Sequence, residues 1–156
     1  MRAAMMLDGT PLSVSIRRVF LIIAVLAAAG AIVSSVSLYH HYGTSQTTYC
    51  DFGESFNCDI VNRSTYSTIL GVPVALIGIA GYLTLLVLST FYRNYAETPA
   101  RLAIAALSGL AFALYLTYVE RFILAAWCVL CLSSLAVILS IAVISTVLWA
   151  RGKRRA

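Results

Sequence analysis

Four stretches of the chain are apolar over nearly their whole length, and each is close to the roughly 20 residues a helix needs to cross a hydrocarbon core about 30 Å thick. They run from Val19 to Leu38, Ile69 to Tyr92, Leu102 to Val119 and Phe122 to Ala150. Polar residues collect between them, in a long connection from Tyr39 to Thr68, a shorter one from Arg93 to Arg101, and a minimal turn at Glu120 and Arg121. The pattern predicts an all-α membrane protein, a bundle of four transmembrane helices with one long loop between the first and second. No segment has the makings of a separate soluble domain, so residues 1–156 read as a single membrane domain.

Composition agrees with that reading. The chain is 61% hydrophobic and 11% charged, whereas soluble domains are about 45–50% apolar and about 25% charged. Nine of the eleven basic residues fall on one side of a four-span topology: Arg2, Arg17, Arg18, Arg93, Arg101, Arg151, Lys153, Arg154 and Arg155. Only Arg63 and Arg121 fall on the other. Lys and Arg beside helix ends favour the cytoplasm, so both termini are expected inside and the long loop, with Asp51, Glu54 and Asp59, outside. The net charge of +5 then needs no nucleic acid to explain it. Arg17-Arg18-Val19-Phe20-Leu21 looks like a twin-arginine export signal, but the apolar run behind it is long enough to span, which favours a signal anchor.

In lipid, helices associate through close packing at small residues. Ala105, Gly109 and Ala113 in the third span, and Gly71, Ala75 and Gly78 in the second, are expected to serve that purpose, with a flat cofactor lying against them as the alternative. Trp127 and Trp149 bracket the fourth span at about 22 residues, roughly 33 Å, the distance between two interfacial aromatic belts. Tyr39, His40, His41 and Tyr42 mark the outer boundary of the first span. The histidines read as interfacial residues, with proton carriage as the alternative. Glu120 and Arg121 read as markers of the membrane edge, with tuning of the nearby thiols as the alternative.

The chemistry lies in four cysteines, Cys50 and Cys58 in the outer loop and Cys128-Val129-Leu130-Cys131 in the last span. The topology drawn from charge alone puts all four on one face. Disulfides persist outside the cytoplasm, and residues three apart on a helix have Cα atoms about 5 Å apart, within the bridging range of about 4.4–6.8 Å. Cys128 and Cys131 can therefore cycle between dithiol and disulfide. A loop of about 30 residues is uncommon unless functional, and Gly53 with its polar neighbours suits a mobile arm. Two pairs able to touch can hand on electrons through mixed disulfides. A zinc site with His40 or His41 fits poorly, since the spacing is not that of a finger.

These residues resemble the vitamin K epoxide reductase family. The resemblance rests on Cys50-Asp51-Phe52-Gly53-Glu54-Ser55-Phe56-Asn57-Cys58, on Ser64 six positions later, on the Gly71-Val72-Pro73 entry to the second span and on the Cys128–Cys131 pair. It implies a four-helix bundle holding a quinone of the ubiquinone or menaquinone type beside the helical pair. Carried over by motif, Cys131 reacts with the quinone, Cys128 receives the attack of Cys58, and Cys50 meets a thioredoxin-fold partner. Ser64 and Ser67 fall at the quinone site, Ser67 standing where animal members have an asparagine. Leu135 replaces their tyrosine, and the segment from Cys58 to Gly71 is shorter, which argues against vitamin K epoxide as substrate. The resemblance further implies a bacterial cytoplasmic membrane and a separate, DsbA-like partner.

Three other readings compete with this one. They are a structural membrane protein stapled by two disulfides, a reductase of vitamin K epoxide, and a small transporter or channel subunit. The transporter reading is disfavoured because no ionisable group lies within a span. Asn62-Arg63-Ser64 matches the N-glycosylation pattern and reads as incidental.

Overall fold

The computed structural model describes residues 11–43 and 57–154, with side chains from Ser15 onward. Helix α1 runs Pro11–Tyr42, α2 is the short Cys58–Arg63, and a 3-10 turn at Thr65–Ser67 leads into strands β1 (Thr68–Ile69) and β2 (Val72–Pro73). Helices α3 (Val74–Thr90), α4 (Thr98–Val119) and α5 (Val129–Lys153) complete the bundle. The result is an all-α membrane bundle. Three helices are long and apolar enough to cross a bilayer, and α3, shorter at 17 residues, is equally apolar.

Interior and exterior are both apolar here, so the buried face is set by spacing and residue size. Along α1 Phe20, Ile23, Ala27, Gly30, Ser34 and Ser37 are buried at steps of three and four, with Ala24 and His40 buried beside that seam. That repeat is a supercoil seam. Gly30 is compelled by its neighbour, since a Cβ there would stand 2.3 Å from the Tyr82 ring of α3. A Cβ on Gly78 would come within 2.9 Å of Ser34 Oγ, so the α1–α3 contact does use small residues as expected. Gly71 does not. It has a φ of +81° and open space, with nothing within 4 Å, where a Cβ would project. With Leu70 (φ 53°) it forms the two-residue turn between β1 and β2. Positive φ at both central positions is the turn type whose twist matches a hairpin.

Two expected boundaries shift for reasons hydropathy cannot register. The second span begins at Val74 rather than Ile69, because the preceding residues are spent on the β1–β2 hairpin and Pro73 caps the helix. The fourth begins at Val129 rather than Phe122. Between α4 and α5 the chain makes a π turn, Glu120–Leu124, closed by Ala125 in the left-handed region (φ 49°). Phe122 to Trp127 are nearly all apolar, so composition alone joins them to the helix that follows.

The candidate redox site

The end of the long connection is built, contrary to the expectation of a mobile arm up to Thr68. Asn57 caps α2, its side-chain oxygen accepting the Ile60 N–H at 2.9 Å. Its own N–H donates to the Trp127 carbonyl at 3.1 Å, which ties the start of α2 to the α4–α5 connection. Arg63 donates to the Gly43 carbonyl at the other end of α2. Cys58, Val61, Ala126 and Cys128 then form one buried cluster, with Leu124, Leu130 and Cys131 packed against it. Cys50 lies outside the described residues.

Cys58 is held in a disulfide, whereas Cys128 and Cys131 are both free thiols. Cys128 is the residue before α5 and not within a helix, and its extended backbone (φ −110°, ψ 117°) turns the chain into the helix. Cys131 follows in the first turn, so the pair straddles the helix start, where partial positive charge favours a thiolate. A hydrogen bond from the Cys131 thiol lowers the pKa of Cys128 below the ordinary thiol value, against burial and the charge of Glu120, which both raise it.

Two polar side chains hold this arrangement: Asn62, which the sequence offered only within a glycosylation pattern, and Glu120, for which tuning of the nearby thiols was the alternative reading. Asn62, buried on the last turn of α2, accepts from Ser37 Oγ at 2.6 Å and donates to the Cys58 carbonyl at 3.0 Å and to Cys128 Sγ at 3.8 Å. Its position four residues after Cys58 was the available signal, obscured by the glycosylation pattern it shares. Glu120 is no membrane-edge marker, being only 2% exposed. Its Oε2 accepts the Cys128 N–H at 3.2 Å, which places a buried ionisable group at the outer end of α4, where none was expected. The π turn swings it there. Inserted turns of this kind recur at functional sites.

The histidines also depart from the interfacial reading. His40 is buried, with Nδ1 3.6 Å from Asp59 Oδ1, and His41 Nδ1 meets the Asn62 carbonyl at 2.5 Å. Tyr39 and Tyr42 are both exposed.

Beside the cluster opens a cavity of about 430 Å³, bounded by all four long helices and by α2. Cys131, Ser64 and Ser67 all line it. The hydroxyls of Ser64 and Ser67 donate to the Val61 and Ser64 carbonyls at 2.8 and 2.7 Å, so in this arrangement they offer the cavity lone pairs and no proton. Ala75, Gly78, Ala105, Gly109 and Ala113 line the cavity too, so the small-residue stripes do more than pack. The Tyr82 hydroxyl, within hydrogen-bonding distance of the Ser134 carbonyl (2.8 Å) and Oγ (2.9 Å), adds a polar group one turn below Cys131. Ile77, Gly81, Thr84 and Ser108 are both lining and exposed, so the mouth faces sideways between α3 and α4.

A model of the vitamin K epoxide reductase family matches residues 21–146. The chain belongs to this family. It is accordingly a multi-pass membrane oxidoreductase of the quinone-linked, thiol-dependent kind. The match runs from the first turns of α1 almost to the end of α5, and so takes in both cysteine pairs and the cavity. A largely apolar cavity with a few convergent polar groups, of a volume typical of small-molecule sites, fits a quinone head group. Cys131 borders the space such a ring would fill.

Proposed function

We propose that the protein is a quinone-dependent disulfide oxidoreductase of a bacterial cytoplasmic membrane. It reoxidises a separate, extracytoplasmic thioredoxin-fold partner that introduces disulfides into exported proteins. The observation that carries this reading is the single buried cluster in which the disulfide-bonded Cys58 meets the free Cys128, with Cys131 on the cavity side. Electrons pass from the partner to Cys50, then through Cys58 and Cys128 to Cys131. A quinone in the cavity supplies the two-electron acceptor, with Cys131, Ser64 and Ser67 as its nearest protein groups.

Each exchange needs an attacking thiolate, a disulfide and a resolving thiol. With the loop reduced, Cys58 attacks Cys128 of the helical disulfide and frees Cys131. Cys50 then attacks Cys58, which restores the loop disulfide and leaves Cys128 and Cys131 as dithiol. Cys50→Ala removes only the resolving thiol, so a Cys58–Cys128 bridge should accumulate, and should vanish when Cys58 is also replaced. Blocking free thiols, digesting without reductant and identifying linked peptides by mass spectrometry reads this directly. A Cys128–Cys131 bridge with Cys58 free, in cells with oxidised quinone and partner present, would show the order to be wrong. A structural protein stapled by disulfides would instead hold bridges that resist defined redox buffers, typically with potentials below about −300 mV.

A further inference from the structure

We propose that Glu120 is a catalytic residue that takes the proton of the Cys131 thiol as the helical dithiol is oxidised and passes it to a quinone oxygen. The inference rests on the quinone-linked reading above and deepens it.

Glu120 lines the cavity, and its carboxylate adjoins Cys131. One oxygen is engaged by the Cys128 N–H, while Oε1, fully buried, has no hydrogen-bond partner among the described residues. No ion pair there includes Glu120. The adjacent Arg121 is exposed, its guanidinium 5.9 Å from the Phe122 ring centre. Burying a carboxylate with one oxygen unpartnered is costly, and a neutral amide or hydroxyl would cap the start of α5 as well. Ionisable groups kept at membrane depth mark proton paths. Oε1 is thus an acceptor without a partner, on a residue that lines the same cavity as the thiol that must lose a proton.

The step balances. Two S–H bonds break and the Cys128–Cys131 S–S bond forms. Two electrons and two protons leave the pair, and quinone departs as quinol. Glu120 carries the proton from Cys131, and the proton from Cys128 accounts for the other.

Purified protein with reduced partner and a short-tailed quinone supplies the test. If the wild type forms no quinol, the quinone-linked reading itself fails. If it does, Glu120→Gln, which retains an acceptor for the Cys128 N–H, should slow quinol formation in a single turnover by about 100-fold, the usual contribution of a positioned acid–base group. Its KM for quinone should stay unchanged. Exchange between the loop dithiol and the helical disulfide, followed by quench and alkylation without quinone, should not be slowed. Wild-type quinol formation by E120Q, or equal slowing of both steps, would overturn the proposal. Should E120Q fail to assemble, E120D, which keeps a carboxyl, should outpace E120A by about tenfold in quinol formation, and equal rates would overturn it as well.

Discussion

Asn62 Nδ2 stands 3.8 Å from Cys128 Sγ while also donating to the Cys58 carbonyl, so one amide links the two halves of the relay. Removing it leaves Ser37 Oγ without its acceptor and takes one donor each from the Cys58 carbonyl and the Cys128 sulfur. Groups left unsatisfied in a buried place cost about 1–3 kcal/mol each. Asn62→Ala should therefore lower the thermal unfolding midpoint in detergent and slow Cys58–Cys128 exchange, whereas Ser37→Ala, which costs one bond, should leave exchange nearly intact. Equal exchange rates in N62A and wild type would remove Asn62 from the relay.

The hydrogen bond from Cys131 that lowers the pKa of Cys128 sets a pH dependence. A thiol whose pKa is held down ionises at lower pH than the ordinary value of about 8.5. Deleting the donor with Cys131→Ala should move Cys128 ionisation to higher pH, readable as thiolate absorbance in the far ultraviolet during titration of the reduced protein. A midpoint that stays put or falls would contradict the assigned hydrogen bond.

Gly81 lines the cavity mouth and has nothing within 4 Å of where a Cβ would stand. Gly81→Leu should be accommodated, since leucine is a good helix former and glycine lies about 0.8–1 kcal/mol below alanine in helix propensity. Its side chain projects into the path from the bilayer, so the KM for quinone should rise about tenfold or more, which is about 1.4 kcal/mol. Loop-to-helix thiol exchange should be unaffected. A KM equal to that of the wild type would show that quinone enters elsewhere.

Orientation can be read from exposed side chains at opposite ends of the bundle. Tyr66 follows α2, and Tyr95 lies in the α3–α4 connection. A Tyr66→Cys variant should gain label from a membrane-impermeant thiol reagent on intact cells, above the wild-type background, while Tyr95→Cys should gain it only after the membrane is opened. The reverse pattern would invert the topology inferred from the basic residues.

The number of apolar helices was legible because the length of a hydrophobic run is a direct measure of what lipid will accept. Their ends were less so. α1 continues past Leu38 to Tyr42, because His40 and His41 find partners in α2, and a hydropathy profile treats the same residues as a stop. The cysteine pairs stood out by residue type and order; Cys131, Ser64 and Ser67 line one cavity, and Cys58 and Cys128 sit in the buried cluster beside it. Asn62 read only as part of a glycosylation pattern, and for Glu120 tuning of the thiols stood second to marking the membrane edge, since the partners of both lie far away in the chain or across a π turn. Nothing in the string Glu-Arg-Phe-Ile-Leu foretells that Ala125 turns left-handed and carries the backbone back onto the carboxylate.

The sideways mouth between α3 and α4 bears on how the protein must be assayed. A molecule that enters there is drawn from the two-dimensional solution of the lipid, so the quantity that governs saturation is its mole fraction among the acyl chains. Adding empty vesicles or extra detergent micelles at fixed total quinone should slow turnover by dilution within the apolar phase, even though the aqueous volume has not changed. Two laboratories using the same molar quinone and different amounts of lipid would then measure different half-saturation points for an unaltered protein.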